Sequence, residues 1–288
     1  MRVLVTGAKG QLGTEVCAAY ADVELISVDI DRVDLRDTDA VHALIADETR
    51  PDLVVNTAAA HNVPECEKDP ATAFAVNAAA VRAMAAACLA CGARMVPIST
   101  DYVFGSGGKR PYVETDLPAP LNVYAASKLA GEFLLAAECP DHVILRTAAL
   151  YGHAPCVAKG GKNFVQLMLH LAATRPEIRV VTDEITTPTY TRALAAQIRL
   201  VAEKGKPGLY HATCNGECSW YDFAKAIFEE TNTSANLLPA TSADFPSPVK
   251  RPNYSVLCNK RLQDQGIDIM PHWRDALRAY VRAEQDAR

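Results

Sequence analysis

Tyr124 and Lys128 stand four residues apart in this chain, at the start of a stretch that favours a helix. At that spacing both side chains lie on one helix face. An ammonium group beside a phenol lowers the phenol pKa, which is about 10 when unperturbed. A phenol tuned in this way can protonate a ketone oxygen while a hydride reaches the carbon. The same spacing is common on solvated helix surfaces, so the interpretation depends on the rest of the chain.

A glycine-rich turn follows the first apolar run of the chain. Gly7, Gly10 and Gly13 come directly after residues 1–5 and before a helix-forming stretch. Strand, glycine-rich turn and helix are the context of a dinucleotide fingerprint, in which the glycines allow close approach of backbone and pyrophosphate. The pattern predicts NAD(H) or NADP(H), with its pyrophosphate on the helix N-terminus. Three glycines in an ordinary loop are the alternative.

Asp29 ends the second predicted strand. A carboxylate at that place can bind the hydroxyl groups of the adenosine ribose, which favours NADH. Arg32 is close enough in sequence to pair with the 2′-phosphate of NADPH, so the choice between the two cofactors stays open. A plain polar turn at residues 29–31 is the other interpretation.

The elements that must position these residues alternate between strand and helix. The predicted strands are 2–5, 24–28, 53–56, 95–98 and 143–146, and the predicted helices are 11–20, 39–48, 71–91 and 124–137. This alternation predicts an α/β fold with a Rossmann-type, doubly wound parallel sheet. Ligands of such sheets bind at the carboxyl ends of the strands.

The pattern changes after residue 146, where Gly- and Pro-rich segments separate shorter elements. We predict an NAD(P)-binding Rossmann domain over residues 1–150, to which residues 178–205 return. Residues 151–177 and 206–288 form a smaller, discontinuous substrate-binding lobe in this interpretation. The lobe would cap the cofactor and hold the substrate.

Composition narrows the class of protein. The 288 residues carry a net charge of −5 without blocks of like charge, which gives no indication of nucleic-acid or membrane partners. The N-terminal apolar run is too short for a signal peptide or a membrane span, so we expect a cytoplasmic protein. Nine irregularly spaced cysteines argue against a disulfide framework. We interpret the Cys88/Cys91 pair as reduced packing rather than a metal or redox site.

Several short runs together resemble the extended short-chain dehydrogenase/reductase superfamily and, within it, the dTDP-4-dehydrorhamnose reductase family. The G-x-x-G-x-x-G spacing of the first turn is typical of that superfamily. The runs occur in the family's order over nearly the whole chain, at residues 6–13, 56–59, 99–104, 120–124, 127–132, 146–147, 151–152, 188–189 and 251–255. Each run is weak alone, and together they are specific.

The resemblance implies an NAD(P)H-dependent reductase of the 4-keto group of a nucleotide-linked 6-deoxyhexose, with a dTDP-linked sugar as substrate. It assigns Tyr124 as proton donor, Lys128 as its partner and a ligand of the nicotinamide ribose, and Thr100 as a hydrogen-bonding partner of the carbonyl oxygen. The implied cofactor-binding residues are Gly7, Gly10, Gln11, Leu12, Gly13, Asp29, Asp34, Leu35, Ala58, Ala59, Ala60, Tyr124 and Lys128. The implied substrate residues are Asp101, Tyr102, Asn163 and Arg251, of which the arginine suits a diphosphate.

Related 4,6-dehydratases carry a glutamate where this chain has Tyr102, and elimination of water needs that carboxylate. Reduction is therefore favoured over dehydration. Two alternatives stay open. One is a nucleotide-sugar epimerase that uses the same tyrosine without net redox change. The other is a non-catalytic regulatory subunit, as in the β subunit of methionine adenosyltransferase.

The chain departs from the family pattern on the substrate side. Ala148 and Ala149 replace a Ser-Trp pair, residues 61–64 differ from the usual substrate loop, and residues 153–162 form a longer loop from which Cys156 and Lys159 could enter the site. Some family members form dimers around Mg²⁺ held by glutamates. Glu15 matches one of these glutamates and would be favoured in the first turn of its helix, whereas Arg192 takes the place of the other. We therefore predict no metal site, and a homodimer, if formed, without bridging Mg²⁺.

Overall fold

The computed structural model describes residues 1–105, 107–155 and 160–286. Its strands are β1 Arg2–Thr6, β2 Glu24–Val28, β3 Leu53–Asn56, β4 Arg94–Thr100, β5 Val143–Thr147, β6 Leu150–Tyr151, β7 Ile178–Val181, β8 Ile185–Thr186, β9 Thr189–Tyr190, β10 Gly208–His211, β11 Cys218–Ser219 and β12 Leu237–Ala240. Its helices are α1 Gln11–Ala19, α2 Thr38–Ala43, α3 Val63–Lys68, α4 Pro70–Phe74, α5 Ala80–Cys91, α6 Val123–Glu138, α7 Phe164–Thr174, α8 Thr191–Lys204, α9 Trp220–Glu230, α10 Lys260–Asp264 and α11 Trp273–Asp286.

A parallel sheet in the order β2-β1-β3-β4-β5-β10 forms the centre of the described chain. The chain leaves β1 to form β2 on one side and then crosses back to form β3 on the other. Thr6 and Asn56 stand side by side in the register of β1 and β3, so the two strands end level with each other. The reversal of direction opens a crevice at their carboxyl ends, where doubly wound folds bind ligands. The predicted fold class is confirmed.

Alternate residues of the strands pack on opposite faces of the sheet. Val3 and Val5 face the layer that contains α1 and α8, while Leu4 faces the layer that contains α2, α5 and α6. This is the period-two pattern of a strand covered on both sides. Two apolar cores therefore clamp the sheet and fix the height of its carboxyl edge.

The helix from Pro70 to Cys91 is long and apolar. It runs through α4, a π-helical segment at Ala75–Ala79 and α5. It is 22 residues long, and an 18-residue window within it has a mean hydropathy of 1.7, which is enough to cross a membrane by length and composition. In the structure it packs against α2, α6 and β4, and Met84 and Cys88 are fully buried. Buried core helices of α/β proteins have the same composition. The sequence-based expectation of no membrane span rested only on the apolar run at the N-terminus and did not take this helix into account.

In the second half of the chain, the structure differs in two details from the predicted division into a Rossmann domain and a substrate-binding lobe. Residues 178–181 do not return to the central sheet, because β7 pairs with β12 in a separate two-stranded sheet. Residues 208–211, assigned to the lobe, form β10 and pair with β5 at the sheet edge. Helix α8 at residues 191–204 does return, and it packs against α1. The division into a cofactor domain and a substrate lobe itself stays a prediction.

Candidate active site

The turn after β1 is shaped by missing side chains. Gly7 has a φ of +69°, and a Cβ atom there would lie 2.7 Å from the backbone nitrogen of Ala58. A Cβ atom on Gly13 would lie 2.0 Å from the Gly7 carbonyl oxygen. Side chains at these two positions would push the turn, α1 and the β3 loop apart. Gly7 and Gly13 therefore allow the backbones of the turn, of α1 and of the loop after β3 to come into contact.

The N-terminus of α1 carries no side-chain cap. Gly10 is the N-cap residue, its amide donates to the Gly7 carbonyl oxygen at 3.0 Å, and the first turn contains no acidic residue. Free amides and the positive end of the helix dipole suit an anion. Gln11 lies at the start of the helix and donates from Nε2 to the Gly152 carbonyl oxygen at 3.2 Å.

Asn56 and Asn77 organise the loop after β3. The Asn56 Oδ1 atom accepts from the Thr6 hydroxyl at 2.8 Å and from the Ala58 amide at 3.1 Å. Asn77 binds both backbone groups of Ala60, at 3.0 Å to the amide and 2.9 Å to the carbonyl oxygen. The predicted cofactor residues 58–60 are thus held beside the glycine turn by buried amide side chains. The sequence motifs did not assign a role to Asn77.

Asp29 lies at the rim of a cleft of about 260 Å³ that Lys9, Asp31 and Arg32 also line. Its carboxylate accepts from the backbone amides of Lys9 at 2.9 Å and Ile30 at 2.8 Å. Arg32 is engaged elsewhere, because its guanidinium pairs with Glu48 at 2.7 Å.

Asp34 and Leu35, two of the implied cofactor-binding residues, follow this cleft in sequence. Asp34 pairs with Arg36, which lowers the pKa of the Asp34 carboxyl to about 2. Leu35 is buried.

Thr100, Tyr124 and Lys128 meet where β4 ends and α6 begins. Thr100 is the last residue of β4, and Tyr124 and Lys128 occupy successive turns of α6 on one face. Asn122 caps α6 by accepting from the Ala125 amide at 2.9 Å. The cap fixes the start of the helix and therefore the position of the phenol.

Burial sets the protonation of this group. It raises the pKa of the Tyr124 phenol, and the hydrogen-bonding contact with Thr100 only partly offsets the rise. Burial also lowers the pKa of the Lys128 ammonium to about 8, against the opposing effect of Glu132. The expected lowering of the Tyr124 pKa by Lys128 is therefore wrong, because desolvation of the phenol outweighs any effect of the ammonium. Tyr124 is protonated at neutral pH and can donate a proton.

Two of the predicted substrate residues border this group. The rings of Tyr102 and Tyr124 meet edge to face, with centroids 6.2 Å apart. Arg251 is exposed, and its charge acts on the pKa values of Tyr102 and of Glu184. Glu184 is half-buried, and burial raises its pKa. Nothing in the sequence indicated that Glu184 belongs to this region, because only the fold brings it near Arg251.

Asp101 and Asn163 have mainly internal partners. Asp101 is buried beside Thr100 and Ser255, and burial raises the pKa of its carboxyl to about 6. Asn163 caps α7, where its Oδ1 atom accepts from the Gln166 amide at 2.9 Å and its Nδ2 atom donates to the Gly152 carbonyl oxygen at 2.6 Å. These bonds fix the start of α7 against the backbone of residue 152. The Asn-x-x-Gln capping box was readable from the sequence.

The departures from the family pattern have different outcomes. Ala148 is buried, and Ala149 adopts a φ of +45°, a left-handed conformation that is uncommon for residues other than glycine. Cys156 and Lys159 lie outside the described residues.

Glu15 and Arg192 form an ion pair across α1 and α8 at 3.2 Å. Glu15 lies beyond the first turn of α1, so the predicted benefit from the helix dipole does not apply. The carboxylate is instead occupied by a cation of the same chain.

A family model described as RmlD substrate binding domain matches residues 1–285. The chain belongs to this family. The spore coat polysaccharide biosynthesis protein SpsK of Bacillus subtilis (strain 168) is similar to it, with 41% identity and 99% of each chain covered. A crystal structure of a dTDP-4-dehydrorhamnose reductase from Clostridium acetobutylicum has a TM-score of 0.94 at 40% identity, covering 99% of this chain and 100% of that one.

A second solved relative in the RmlD family was crystallised with a cofactor. The dTDP-4-dehydrorhamnose reductase of Bacillus anthracis, in complex with NADP, has a TM-score of 0.91 at 36% identity, and it covers 98% of this chain and 99% of that one. The resemblance inferred from short motifs is thereby confirmed at the level of family. The match spans the glycine turn, the Tyr124–Lys128 face and the segment around Arg251.

Proposed function

We propose that this protein is an NAD(P)H-dependent oxidoreductase that reduces the 4-keto group of a dTDP-linked 6-deoxyhexose, as dTDP-4-dehydrorhamnose reductases do. One observation carries the proposal. In a chain of the RmlD family, a protonated Tyr124 lies beside Thr100 and one turn from Lys128 at the carboxyl edge of the sheet. These are the groups that a ketone needs in order to accept a proton as it is reduced.

The cofactor fits residues on two sides of the crevice. The uncapped N-terminus of α1, with Gly7, Gly10 and Gly13, would hold the pyrophosphate, because a side chain at Gly7 or Gly13 would close the space. Bound NADH or NADPH supplies the hydride. The residues that we propose to hold the rest of the cofactor are Gln11, Leu12, Asp29, Asp34, Leu35, Ala58, Ala59, Ala60, Tyr124 and Lys128.

The protein's own groups act on the carbonyl oxygen. Thr100 and Tyr124 hydrogen-bond to it and stabilise the negative charge that develops there. Tyr124 donates its proton to the carbonyl oxygen. The raised pKa of the phenol keeps it protonated at neutral pH until then. Lys128 provides a positive charge that favours the phenolate left behind. Thr100 and Lys128 are buried and Tyr124 is half-buried, so little water surrounds the three groups, which strengthens these interactions.

The substrate lies on the side of Tyr102 and Arg251 in this proposal. Arg251 is an exposed fork of donors near Tyr102, which suits a diphosphate. Tyr102 takes the place of the carboxylate that dehydration needs. The proposed site can therefore support reduction of the ketone but not elimination of water. We extend the proposal to a substrate lobe formed by residues 151–177 and 206–288, apart from β10.

A product assay tests the function. The protein is incubated with a dTDP-4-keto-6-deoxyhexose and NADH or NADPH, and the nucleotide sugar is analysed by mass spectrometry and NMR. We expect the product to gain two hydrogen atoms while one equivalent of reduced cofactor is oxidised. An isomer of unchanged mass would identify an epimerase. No turnover of any keto-sugar, with stable capture of a partner protein, would point to a regulatory subunit.

A further inference from the structure

A buried ion pair lies next to Lys128. Glu132 and Arg146 are 6% and 4% exposed, and the guanidinium donates two bonds to the carboxylate, Nη2 to Oε2 at 2.6 Å and Nε to Oε1 at 2.9 Å. The Ser99 hydroxyl donates to the same Oε1 atom at 2.5 Å. The cluster ties α6 to β4 and β5, directly below the residues that carry the chemistry. The mechanism described so far does not use it.

Glu132 follows Lys128 by four residues on α6, so the two side chains share one helix face. Lys128 is 5% exposed, and an isolated ammonium at such a depth tends to lose its proton. Glu132 supplies the opposing negative charge. The other ionisable groups on α6 and on the described elements that pack against it are Glu65, Cys66, Glu67, Lys68, Arg82, Cys88, Cys91, Arg94, Asp101, Tyr102, Tyr124 and Glu138, and Arg146 reaches Glu132 from β5.

The ion pair has a direction. Arg146 reaches the carboxylate from β5, and its guanidinium also lies over the Phe104 ring, 5.1 Å from the centroid. Lys128 precedes Glu132 by one turn on the same face of α6, and it is the Glu132 charge that acts on the ammonium. The negative partner of the pair therefore shares a helix with Lys128, and the positive partner is held by the sheet. An ion pair of this kind can polarise a neighbour although its net charge is zero.

We propose that Glu132 is a positioning residue for the reaction, because it keeps the Lys128 ammonium charged in the interior while Arg146 and Ser99 hold the carboxylate in place. The proposal rests on the function assigned above, in which Lys128 contacts the cofactor ribose and supports Tyr124. It adds a residue that touches neither cofactor nor substrate.

The test measures NADH binding as a function of pH, by fluorescence of the bound cofactor. NADH is the probe because it lacks the 2′-phosphate, whose own titration near pH 6 would interfere. In the wild type we expect affinity to fall on the alkaline side around the Lys128 pKa of about 8. Glu132→Gln removes the negative charge, so we expect the midpoint to move down by about one pH unit. Lys128→Met should abolish the titration.

Three further variants separate charge from packing. Ser99→Ala removes a hydrogen bond to Glu132 without changing any charge, and should leave the midpoint in place. Arg146→Met removes the opposing cation, and should move the midpoint to higher pH. Glu132→Gln alone leaves a buried guanidinium without an anion and is destabilised. The double variant Glu132→Gln/Arg146→Met removes both charges, and its midpoint should still lie below that of the wild type.

Shifts of opposite sign for Glu132→Gln and Arg146→Met are the signature of an electrostatic role, since a mere brace would weaken binding without moving either midpoint. A midpoint shared by the wild type, Glu132→Gln and the double variant would overturn the proposal. The measurement does not need turnover. Absence of keto-sugar reduction would count against the proposed function alone, whereas unmoved midpoints in an active reductase would count against Glu132 alone.

Discussion

The turn proposed for the pyrophosphate and the region proposed for the sugar nucleotide are built in different ways. Backbone atoms make the turn, as in the bond from the Ala8 amide to the Val28 carbonyl oxygen at 3.1 Å, and two of its glycines exclude side chains. Side chains make the sugar region, where Tyr102, Glu184 and Arg251 arrive from three distant segments. The first design tolerates little change, because a Cβ atom at Gly7 or Gly13 would collide with backbone atoms. The second can change specificity by single substitutions.

The largest effect is expected where the two regions meet. Tyr124→Phe keeps the ring and removes the proton donor. We expect kcat to fall by roughly 10²–10⁴ while NADH affinity changes little. Steady-state rates and cofactor titration measure the two quantities. Unchanged turnover would refute the assigned mechanism.

Gly13→Ala tests the backbone-built turn. The new Cβ atom would collide with the Gly7 carbonyl oxygen, and the strain of about 1–3 kcal/mol should weaken cofactor binding roughly tenfold to a hundredfold. Gly92→Ala is the matched control, since it has open space around its Cβ and lies after α5. It should lower the melting temperature without changing affinity. Equal affinity in both variants would show that the turn is not the cofactor site.

Arg251→Met tests the side-chain-built region. Loss of a charged donor to a diphosphate costs about 1.5–3 kcal/mol, so KM for the sugar nucleotide should rise roughly tenfold to a hundredfold at similar kcat. Lys250→Met is a neighbouring control that removes a cation of the same loop. A similar rise in both variants would indicate a general effect of charge rather than a specific site.

Asp29→Ala probes the adenosine end of the cofactor region. A carboxylate repels a 2′-phosphate, so its removal should shift the ratio of kcat/KM values towards NADPH by roughly tenfold. The wild type should use NADH at least as well as NADPH. A hundredfold preference of the wild type for NADPH would mean that Lys9 or Arg32 governs the cleft instead.

Metal removal should have the smallest effect. Arg192 occupies the carboxylate of Glu15, and a cation there repels Mg²⁺. We expect the same turnover and the same sedimentation coefficient with EDTA and with added Mg²⁺. Loss of activity or of an oligomer on chelation would place a metal site elsewhere in the chain.

The sequence predicted local features well. Spacing within one segment determines the strand, turn and helix around Gly7–Gly13, the face shared by Tyr124 and Lys128, and the four helices predicted between residues 11 and 137. Each is encoded by neighbouring residues, so the pattern was sufficient.

Features that depend on distant partners were not predictable. We expected residues 178–205 to return to the cofactor domain, and nothing local in the sequence could show that β7 pairs with β12 rather than with the central sheet. The raised pKa of Tyr124 has the same origin, because desolvation comes from residues on other elements. Glu184 and Ser255 reach the site only through the packing of the second half of the chain.

The position of β10 limits how this protein can be divided. All five residues of β5 are buried, and β10 covers its outer edge from much later in the chain. A fragment that ends at residue 150 would retain the entire glycine turn and the Tyr124–Lys128 face, yet expose an apolar parallel strand edge. Such edges pair with other chains and aggregate. We therefore expect that residues 1–150 do not fold as an autonomous module, and that gene fusions or domain exchanges should keep residues 1–211 together.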